Sequence, residues 1–258
     1  MRRLLVLLAI LVPLSSQADS SLPFMKDLAG DKQLPRPWGI GLDFYTMDQD
    51  YDISDLQFVL PGVSLGDPSQ IEAIDEVMHF DLKADAWLFP FLNVFGLVGQ
   101  VDTDTTVDFS KAEIIGLPFD LGKLPFSFDG LVYGGGFTLV YGSDSWFTSV
   151  TTAYTTTDIS GSLKSSVNTL SVQPRIGLIR SNWTFWAGGM YLDVDESHKG
   201  TIELPFIGDV QFAVDLEARD EWNYSAGVAH YFNDRASLSF EVGFGNRTHT
   251  LFNFNVRF

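Results

Sequence analysis

The protein has 258 residues, of which 45% are hydrophobic and 14% aromatic, and its formal net charge at pH 7 is −17. This hydrophobic content excludes global disorder, and the negative charge argues against nucleic acid as a partner because it would repel phosphate backbones. The chain contains no cysteine, which excludes disulfides, thiol nucleophiles and cysteine-ligated metal ions.

The N-terminus has the three parts of an export signal. Arg2 and Arg3 supply positive charge, and residues 4–14 form an apolar run that is too short to span a bilayer as a helix. Ser16-Gln17-Ala18 then places small residues at positions −3 and −1 of a cleavage site. We therefore predict that residues 1–18 are a cleaved signal peptide and that the protein leaves the cytoplasm.

The rest of the chain repeats a pattern typical of β-strands. Segments of about ten residues alternate apolar and polar side chains and are separated by turn residues. We predict ten strands, at residues 38–48, 77–88, 93–102, 131–141, 146–157, 170–178, 183–193, 222–228, 238–244 and 252–258. No later segment has 18 consecutive apolar residues, so the sequence predicts no transmembrane helix.

The connections between these strands alternate between short turns and long loops, as in transmembrane barrels. We predict an all-β fold: a transmembrane antiparallel up-and-down β-barrel of about 10 strands (8–12) over residues 38–258, with long extracellular loops. An even number of strands leaves both termini in the periplasm, so residues 19–37 are expected to be a periplasmic segment. A soluble β-sandwich would show a similar alternation and is the alternative.

The last strand distinguishes these two folds. Its apolar residues alternate and the chain ends on an aromatic residue; the set is Phe252, Phe254, Val256 and Phe258. This strand resembles the C-terminal assembly signal of the outer-membrane β-barrels of Gram-negative bacteria. The resemblance implies location in the cell outer membrane, recognition by the barrel-assembly machinery, and contact with outer-membrane lipid and lipopolysaccharide.

The predicted strand phases turn a set of charged side chains towards the barrel interior. These lumen-lining candidates are Asp43, His79, Asp81, Lys83, Asp85, Arg175, Glu241, His249 and Arg257. Charges of both signs suit a narrow hydrated pore for small solutes or cations, and equally a plug of salt bridges. Barrels of eight strands are just filled by side chains, and ten strands lie close to that limit.

Two long connections resemble each other. Residues 122–129 match residues 208–215 in character, and a Leu-Pro-Phe sequence precedes both copies. We predict that each copy is a β-hairpin that extends the barrel outward. Its apolar tips are candidates for contact with lipopolysaccharide or a partner; they are Phe119, Phe126, Phe206 and Phe212.

Two further features concern local structure. Pro174 lies inside a predicted strand although a closed barrel has no edge for its missing N–H, so we expect a bulge there or a misplaced strand. Residues 48–76 contain eight acidic residues and no Lys or Arg. The spacing of Asp48, Asp50 and Asp52 resembles the start of a calcium loop, but Ile53 and Val59 replace its required Gly and Glu. This segment is therefore interpreted as a solvated loop, with cation entry as the alternative.

Enzyme interpretations lack complete motifs. Ten strands are typical of omptin proteases, and Asp193, Asp195, Glu196 and His198 lie near a predicted rim, but a second acidic pair is missing. The segment around His249 resembles the lipid A deacylase signature without its Ser. We expect no enzyme activity, no cofactor and no metal. The sequence favours a small porin-like channel or passive transporter with a narrow charged lumen. A non-channel structural or surface-interaction barrel is the alternative, and an outer-membrane hydrolase comes third.

Overall fold

The computed structural model describes residues 21–30, 32–58, 64–65, 70–112, 114–116, 121–160, 164–204 and 208–258. The predicted signal peptide lies outside the described residues, as do Phe119 and Phe206 of the loop repeat. A short 3₁₀ helix at Lys26–Ala29 precedes the strands. In the part of the chain that is described, no helix is long and apolar enough to cross a bilayer.

The described residues form thirteen strands. In chain order they are β1 (Trp38–Phe58), β2 (Ser64–Leu65), β3 (Glu72–Phe89), β4 (Leu92–Asp108), β5 (Ile114–Ile115), β6 (Lys123–Gly142), β7 (Trp146–Ile159), β8 (Lys164–Arg180), β9 (Trp183–Leu204), β10 (Gly208–Ala218), β11 (Trp222–Tyr231), β12 (Ala236–Phe244) and β13 (Arg247–Arg257). Nine of the ten predicted segments lie within these strands and the tenth extends one residue beyond β13, to Phe258, which confirms the all-β prediction.

Ten strands close into an antiparallel barrel. Each pairs with the next in the order β1, β3, β4, β6, β7, β8, β9, β11, β12, β13, and β13 returns to β1. Gly39 pairs with Arg257 on one side and with Asp85 of β3 on the other, so the two termini of the barrel meet at β1. One end carries four short turns (β3 to β4, β6 to β7, β8 to β9 and β11 to β12) and both ends of the barrel chain, and we call it the turn end; the opposite end, which also carries the short turn from β12 to β13, is the loop end.

The outer surface of the barrel is apolar, and this excludes the soluble sandwich. Leu42 and Phe44 on β1 and Phe80 and Leu82 on β3 are 36–55% exposed, whereas the alternate residues face the interior. Exposed aromatic side chains form a belt near the turn end, with Trp38, Tyr141, Trp146, Trp183 and Phe232, and a second belt further along the strands, with Tyr154, Trp222, Tyr224 and Phe244. An apolar band between aromatic belts is the exterior of a transmembrane barrel.

The wall changes its strand number along the barrel axis. β11, β12 and β13 have 9–11 residues, about the length that crosses a bilayer. Beyond them β10 pairs with β9 on one side and with β1 on the other. β1 pairs with β13 up to Gln49 and with β10 from Tyr51 onward. The wall therefore has a ten-strand section next to the turn end and an eight-strand section at the loop end, where β10 replaces three strands.

The eight-strand section is filled by an apolar cluster. Its buried members are Tyr51, Ile53, Ile71, Ala73, Phe109, Leu121 and Val210. Eight strands leave an interior that side chains just fill, so a core of this kind is what the local strand number favours. The cluster also corrects the interpretation of residues 48–76 as a solvated loop for the described part of that segment; residues 59–63 and 66–69 lie outside the described residues. Asp48 and Asp50 are exposed on β1, but they alternate with Met47, Gln49 and Tyr51, which are buried in the interior.

The two copies of the loop repeat adopt related but different structures. Gly122 and Gly208 both have positive φ, at 61° and 92°; Gly122 directly precedes β6 and Gly208 is the first residue of β10, and both strands return from the loop end. These strands form hairpins with β4 and β9. β6 continues to the turn end, whereas β10 stops at Ala218. Phe126 is half-buried between exposed neighbours, so its prediction as an exposed tip is wrong.

Pro174 lies in β8 without a bulge, so the prediction of a bulge or a misplaced strand is wrong. It is in register with Val150 of β7. On the β9 side the pairing omits Gln173 and Pro174 and resumes at Arg175 in the same register. The missing N–H of Pro174 therefore interrupts the pairing of β8 with β9 at two residues but does not change the register of the two strands. Gly188 of β9 lies so close to the Pro174 carbonyl that a Cβ atom there would be 2.3 Å from its oxygen.

Candidate functional site

The interior of the ten-strand section contains a cavity of 1090 Å³, which we call the lumen. It extends from residues 33–36 at the turn end to Tyr51 and Asp75 beneath the apolar cluster. Eight of the nine predicted lumen candidates line it: Asp43, His79, Asp81, Lys83, Asp85, Arg175, Glu241 and Arg257. His249 faces inward as well, but it is only 3% exposed and lies against Glu241.

Three ion pairs connect these candidates across strands. The Lys83 ammonium lies 2.8 Å from the Asp43 carboxylate between β3 and β1, and the Arg257 guanidinium lies 2.5 Å from Asp85 between β13 and β3. Arg175 Nε lies 2.8 Å from Glu241 Oε2 although β8 and β12 are not neighbours in the wall. Arg175 therefore reaches across the interior, and the pair narrows the lumen there.

Glu241 is the centre of a buried polar network. It is 1% exposed, and its carboxylate accepts a hydrogen bond of 3.1 Å from Arg175 Nη2 and another from Trp186 Nε1. His249 Nε2 lies 3.7 Å from the same carboxylate, and the His249 ring lies 5.8 Å from the ring of Tyr45. Because a buried carboxylate needs partners of this kind, the network has a structural role whatever else it does.

Asp85 is fully partnered. Besides Arg257, its carboxylate accepts hydrogen bonds from Asn93 at 2.6 Å and from Asn255 at 3.2 Å. The carboxylate lies over Gly39 of β1, where a Cβ atom would be 2.2 Å from Asp85 Oδ2. The inward-facing glycine thus makes room for a large polar side chain of the neighbouring strand.

Asp81 differs from the other lumen acids in its partners. It is 7% exposed, and its closest ionisable partner is His79, whose Nδ1 lies 4.0 Å from Asp81 Oδ2. Asp81 Oδ1 is buried without a hydrogen-bond partner in the described part of the chain. This oxygen lies over Gly99 of β4, as the Asp85 carboxylate lies over Gly39.

The opposite wall of the lumen has a different character. On β6, β7 and β8 it presents hydroxyl and aliphatic side chains, among them Thr138, Thr151, Thr155, Thr169, Ser171, Val132, Val140 and Val167. Thr138 and Thr151 share a hydrogen bond of 3.0 Å. The lumen therefore has a charged wall on β1, β3, β12 and β13, and facing it a wall of hydroxyl and apolar groups from which Arg175 of β8 reaches across to Glu241.

The N-terminal segment closes part of the turn end. The Phe24 amide donates to the Leu88 carbonyl oxygen at 2.8 Å, and Lys32 Nζ donates to the Gly142 carbonyl oxygen at 2.5 Å. Arg36 Nη2 pairs with Asp234 Oδ2 at 2.7 Å. These contacts lie on three different turns, so the segment crosses the opening. The hydrogen bond from Arg36 lowers the pKa of Asp234.

Sequence reasoning missed several residues that shape the lumen. Arg247 is 1% exposed at the boundary of the two sections, where it donates to Gln49 Oε1 at 3.1 Å and to the Met190 carbonyl oxygen at 3.4 Å. It precedes the predicted last strand, whose start the sequence placed five residues too late. Asn255 was on the inward side of the predicted alternation, so its position was recognisable although its partner Asp85 was not.

The hydrolase candidates lie on two different strands, β9 and β13. Among the described residues, no group of three or more His, Asp or Glu side chains is placed to hold a metal ion. Asp193, Asp195, Glu196 and His198 lie on β9, and residues 196–198 pair with β10 in the eight-strand section. His249 lies inside the barrel against Glu241, away from that segment in the chain.

No protein-family model and no curated protein matches this sequence. Solved structures are similar to it in fold. The outer membrane protein OprG from Pseudomonas aeruginosa is 14% identical, covers 87% of this chain and 98% of its own, and has a TM-score of 0.47. The transport unit of the autotransporter AIDA-I from Escherichia coli is 9% identical, with coverage of 91% and 93% and a TM-score of 0.41. The toluene transporter TodX from Pseudomonas putida is 12% identical, with coverage of 93% and 92% and a TM-score of 0.32.

The fold is that of an outer-membrane β-barrel. This statement rests on the closed ten-strand wall, its apolar exterior and its two aromatic belts. The predicted recognition of such a barrel from the alternation and the last strand is confirmed at this level.

Proposed function

We propose that the protein is an outer-membrane channel or passive transporter for small solutes, and that the lumen is its path. The turn end then faces the periplasm and the loop end faces the outside. The observation that carries the proposal is the 1090 Å³ lumen lined by charged and hydroxyl groups. A barrel that serves only as a scaffold would gain stability by filling this interior with apolar side chains.

Both ends of the path are narrowed in this conformation. The apolar cluster lies above the lumen at the loop end, and the N-terminal segment crosses the turn end through Lys32 and Arg36. Passage of a solute therefore requires at least the apolar cluster to loosen. Packed units of a protein can open separately, at a free energy below that of global unfolding, so the proposal is a gated path rather than a permanently open pore.

The proposal is tested by single-channel conductance of refolded residues 19–258 in a planar bilayer. A shift in gel mobility between heated and unheated samples checks that the barrel has formed. We expect discrete conductance steps with a preference for cations, because the chain and its lumen are rich in carboxylates. Folded protein that gives neither conductance nor solute flux in liposomes would overturn the proposal.

That negative outcome would favour a second function. The apolar cluster seals the loop end, and this specific observation fits a non-channel barrel that acts through its outer surface. Its partners would then be lipopolysaccharide or another surface molecule. Binding of refolded barrel to lipopolysaccharide vesicles, compared with phosphatidylcholine vesicles, separates the two functions.

We also propose that export and assembly follow the predicted route. Phe252, Phe254, Val256 and Phe258 are 38–43% exposed on the barrel exterior, where a folding machine can bind them before the barrel closes. Deleting Phe258 should reduce the amount of barrel in the outer membrane while leaving the protein able to refold in detergent. Equal amounts of both proteins in the membrane would contradict this role.

A further inference from the structure

Among the described residues, Asp81 is a lumen carboxylate with no Lys or Arg side chain at salt-bridge distance. Asp43 and Glu241 each have a cationic group at 2.8 Å and Asp85 has one at 2.5 Å. Asp81 has only the His79 ring at 4.0 Å, and its Oδ1 atom has no hydrogen-bond partner within the described residues. Asp81 nevertheless is 93% buried and lines the lumen.

The neighbours of Asp81 add to this charge imbalance. Asp81 lies directly opposite Asp43 in the pairing of β3 with β1. Lys83, two residues further along β3, bonds to Asp43. The Lys83 ammonium is thus engaged by Asp43 rather than by Asp81. Like charges directly opposite each other destabilise a sheet, and a buried charge without a partner is costly. A cation bound from outside the chain would remove both costs.

The surroundings select the kind of cation. A divalent metal ion needs several oxygen or nitrogen ligands, and the described residues contain no such group. Gly99 lies opposite Asp81 on β4, and Leu97 and Val101 flank it on the same lumen-lining face. Tyr45 and Phe95 provide aromatic rings on the same side of the lumen. An ammonium group attached to a compact apolar body matches an acidic side chain whose β4 neighbours in the lumen are apolar and aromatic.

We propose that Asp81 anchors a lumenal site for organic monocations, namely small primary amines with an aromatic or short alkyl body. The ammonium group donates hydrogen bonds to the Asp81 carboxylate, and the body lies against Tyr45, Phe95 and Leu97. This site rests on the proposed function, because the same lumen would deliver the solute.

The test is binding of benzylammonium to the refolded full barrel in detergent micelles, measured by isothermal titration calorimetry. Benzyl alcohol and benzoate are the neutral and anionic probes of similar shape. We expect benzylammonium to bind about tenfold more tightly than benzyl alcohol, since a charge-assisted hydrogen bond is worth that much. Asp81→Asn should remove this preference and leave the affinity for benzyl alcohol unchanged.

Asp102→Asn is the matched control. Asp102 lies on β4 with its side chain exposed on the outer face, so the substitution removes the same charge from outside the lumen. It should leave the amine preference intact. Equal affinity for amine and alcohol, or a preference that survives Asp81→Asn in a protein with normal heat-dependent mobility, would overturn the site. Conductance without a preference for the amine would support the channel and contradict the amine site. Amine binding without conductance or solute flux would support the site and contradict the channel.

Discussion

The two sections of the barrel solve the same packing problem in opposite ways. In the ten-strand section the interior holds a cavity whose charged side chains pair with one another across strands. In the eight-strand section, a short distance along the same strand β1, the interior is filled by Tyr51, Ile53 and their apolar neighbours. β10 causes the change, because it replaces the three strands β11, β12 and β13 in the wall.

The comparison teaches that strand number decides what a barrel interior can contain. Two strands fewer narrow the wall to the size that side chains fill, and apolar side chains then pack there without water. A wider wall leaves space that packing cannot fill, so polar groups and solvent occupy it. We therefore expect ion pairs to stabilise the ten-strand section and apolar packing to stabilise the cluster that closes the loop end, which we call the seal. Different substitutions should destabilise the two sections.

The largest expected effect comes from the polar network of the ten-strand section. Glu241→Ala removes the carboxylate that pairs with Arg175 and accepts the Trp186 hydrogen bond. The free energy of unfolding should fall by about 3–5 kcal/mol, because an uncompensated buried charge remains. Urea unfolding of the refolded barrel, followed by tryptophan fluorescence, measures the change.

Asp144→Ala controls for the loss of an acidic side chain, since Asp144 is exposed in the turn between β6 and β7. The control should unfold like the unchanged protein. Equal unfolding midpoints for the two variants would mean that the Glu241 network does not hold the ten-strand section together.

The next effect addresses the seal. Ile71 is 1% exposed in the apolar cluster. Ile71→Ala should lower the free energy of unfolding of the eight-strand section by about 2–5 kcal/mol, because the substitution removes packing contacts and leaves a cavity. Because the ten-strand section keeps its ion pairs, we expect more frequent channel opening with the barrel still folded. Single-channel open probability is the measurement.

Ile74→Ala makes the same chemical change three residues away on the exterior, where Ile74 is 45% exposed. It should leave the open probability unchanged. If both variants open alike, the apolar cluster is not the seal.

The sequence predicted the ten-strand section far better than the eight-strand section. Alternation around Asp43, Asp81 and Asp85 placed these residues inward because each strand there has one lipid face and one lumen face. It did not distinguish Asp81 from Asp85, because the partner of Asp85, Arg257, lies 172 residues away and meets it only when β13 closes on β1. The residue-by-residue pairing of β13 with β1 is determined by how all ten strands close into the barrel, so no single segment of the sequence predicts it.

The eight-strand section was missed although its signal was present. Gln49, Tyr51 and Ile53 alternate with Asp48, Asp50 and Asp52, the same period-two pattern as in the rest of β1. The acidic residues made the segment look like a solvated loop. Outside the bilayer, however, the outer face of a strand contacts water, so carboxylates are as suitable there as apolar residues are within the membrane.

A smaller loss of stability is expected when the space that Gly39 leaves for the Asp85 side chain is filled. Gly39→Ala places a Cβ atom 2.2 Å from Asp85 Oδ2, and Asp85 is fixed by Arg257 and two asparagines. We expect a loss of about 1–3 kcal/mol in the free energy of unfolding, the usual cost of overpacking. Gly96→Ala is the control, because its closest neighbour would be the Gly134 carbonyl oxygen at 3.7 Å. Equal unfolding curves for the two variants would show that the Asp85 side chain is free to move.

The smallest effect concerns the N-terminal segment at the turn end. Arg36 lowers the pKa of Asp234, so the pair stabilises the segment above the ordinary aspartate pKa, and this contribution is lost as the pH falls through the lowered value. Carbon-detected NMR titration should show the Asp234 pKa returning towards its ordinary value in Arg36→Gln. An unchanged titration would mean that the pair does not form. Because both side chains are exposed, unfolding should hardly change. The turn end is thus fastened by groups that exchange readily with water, and it should open more easily than the apolar seal at the loop end.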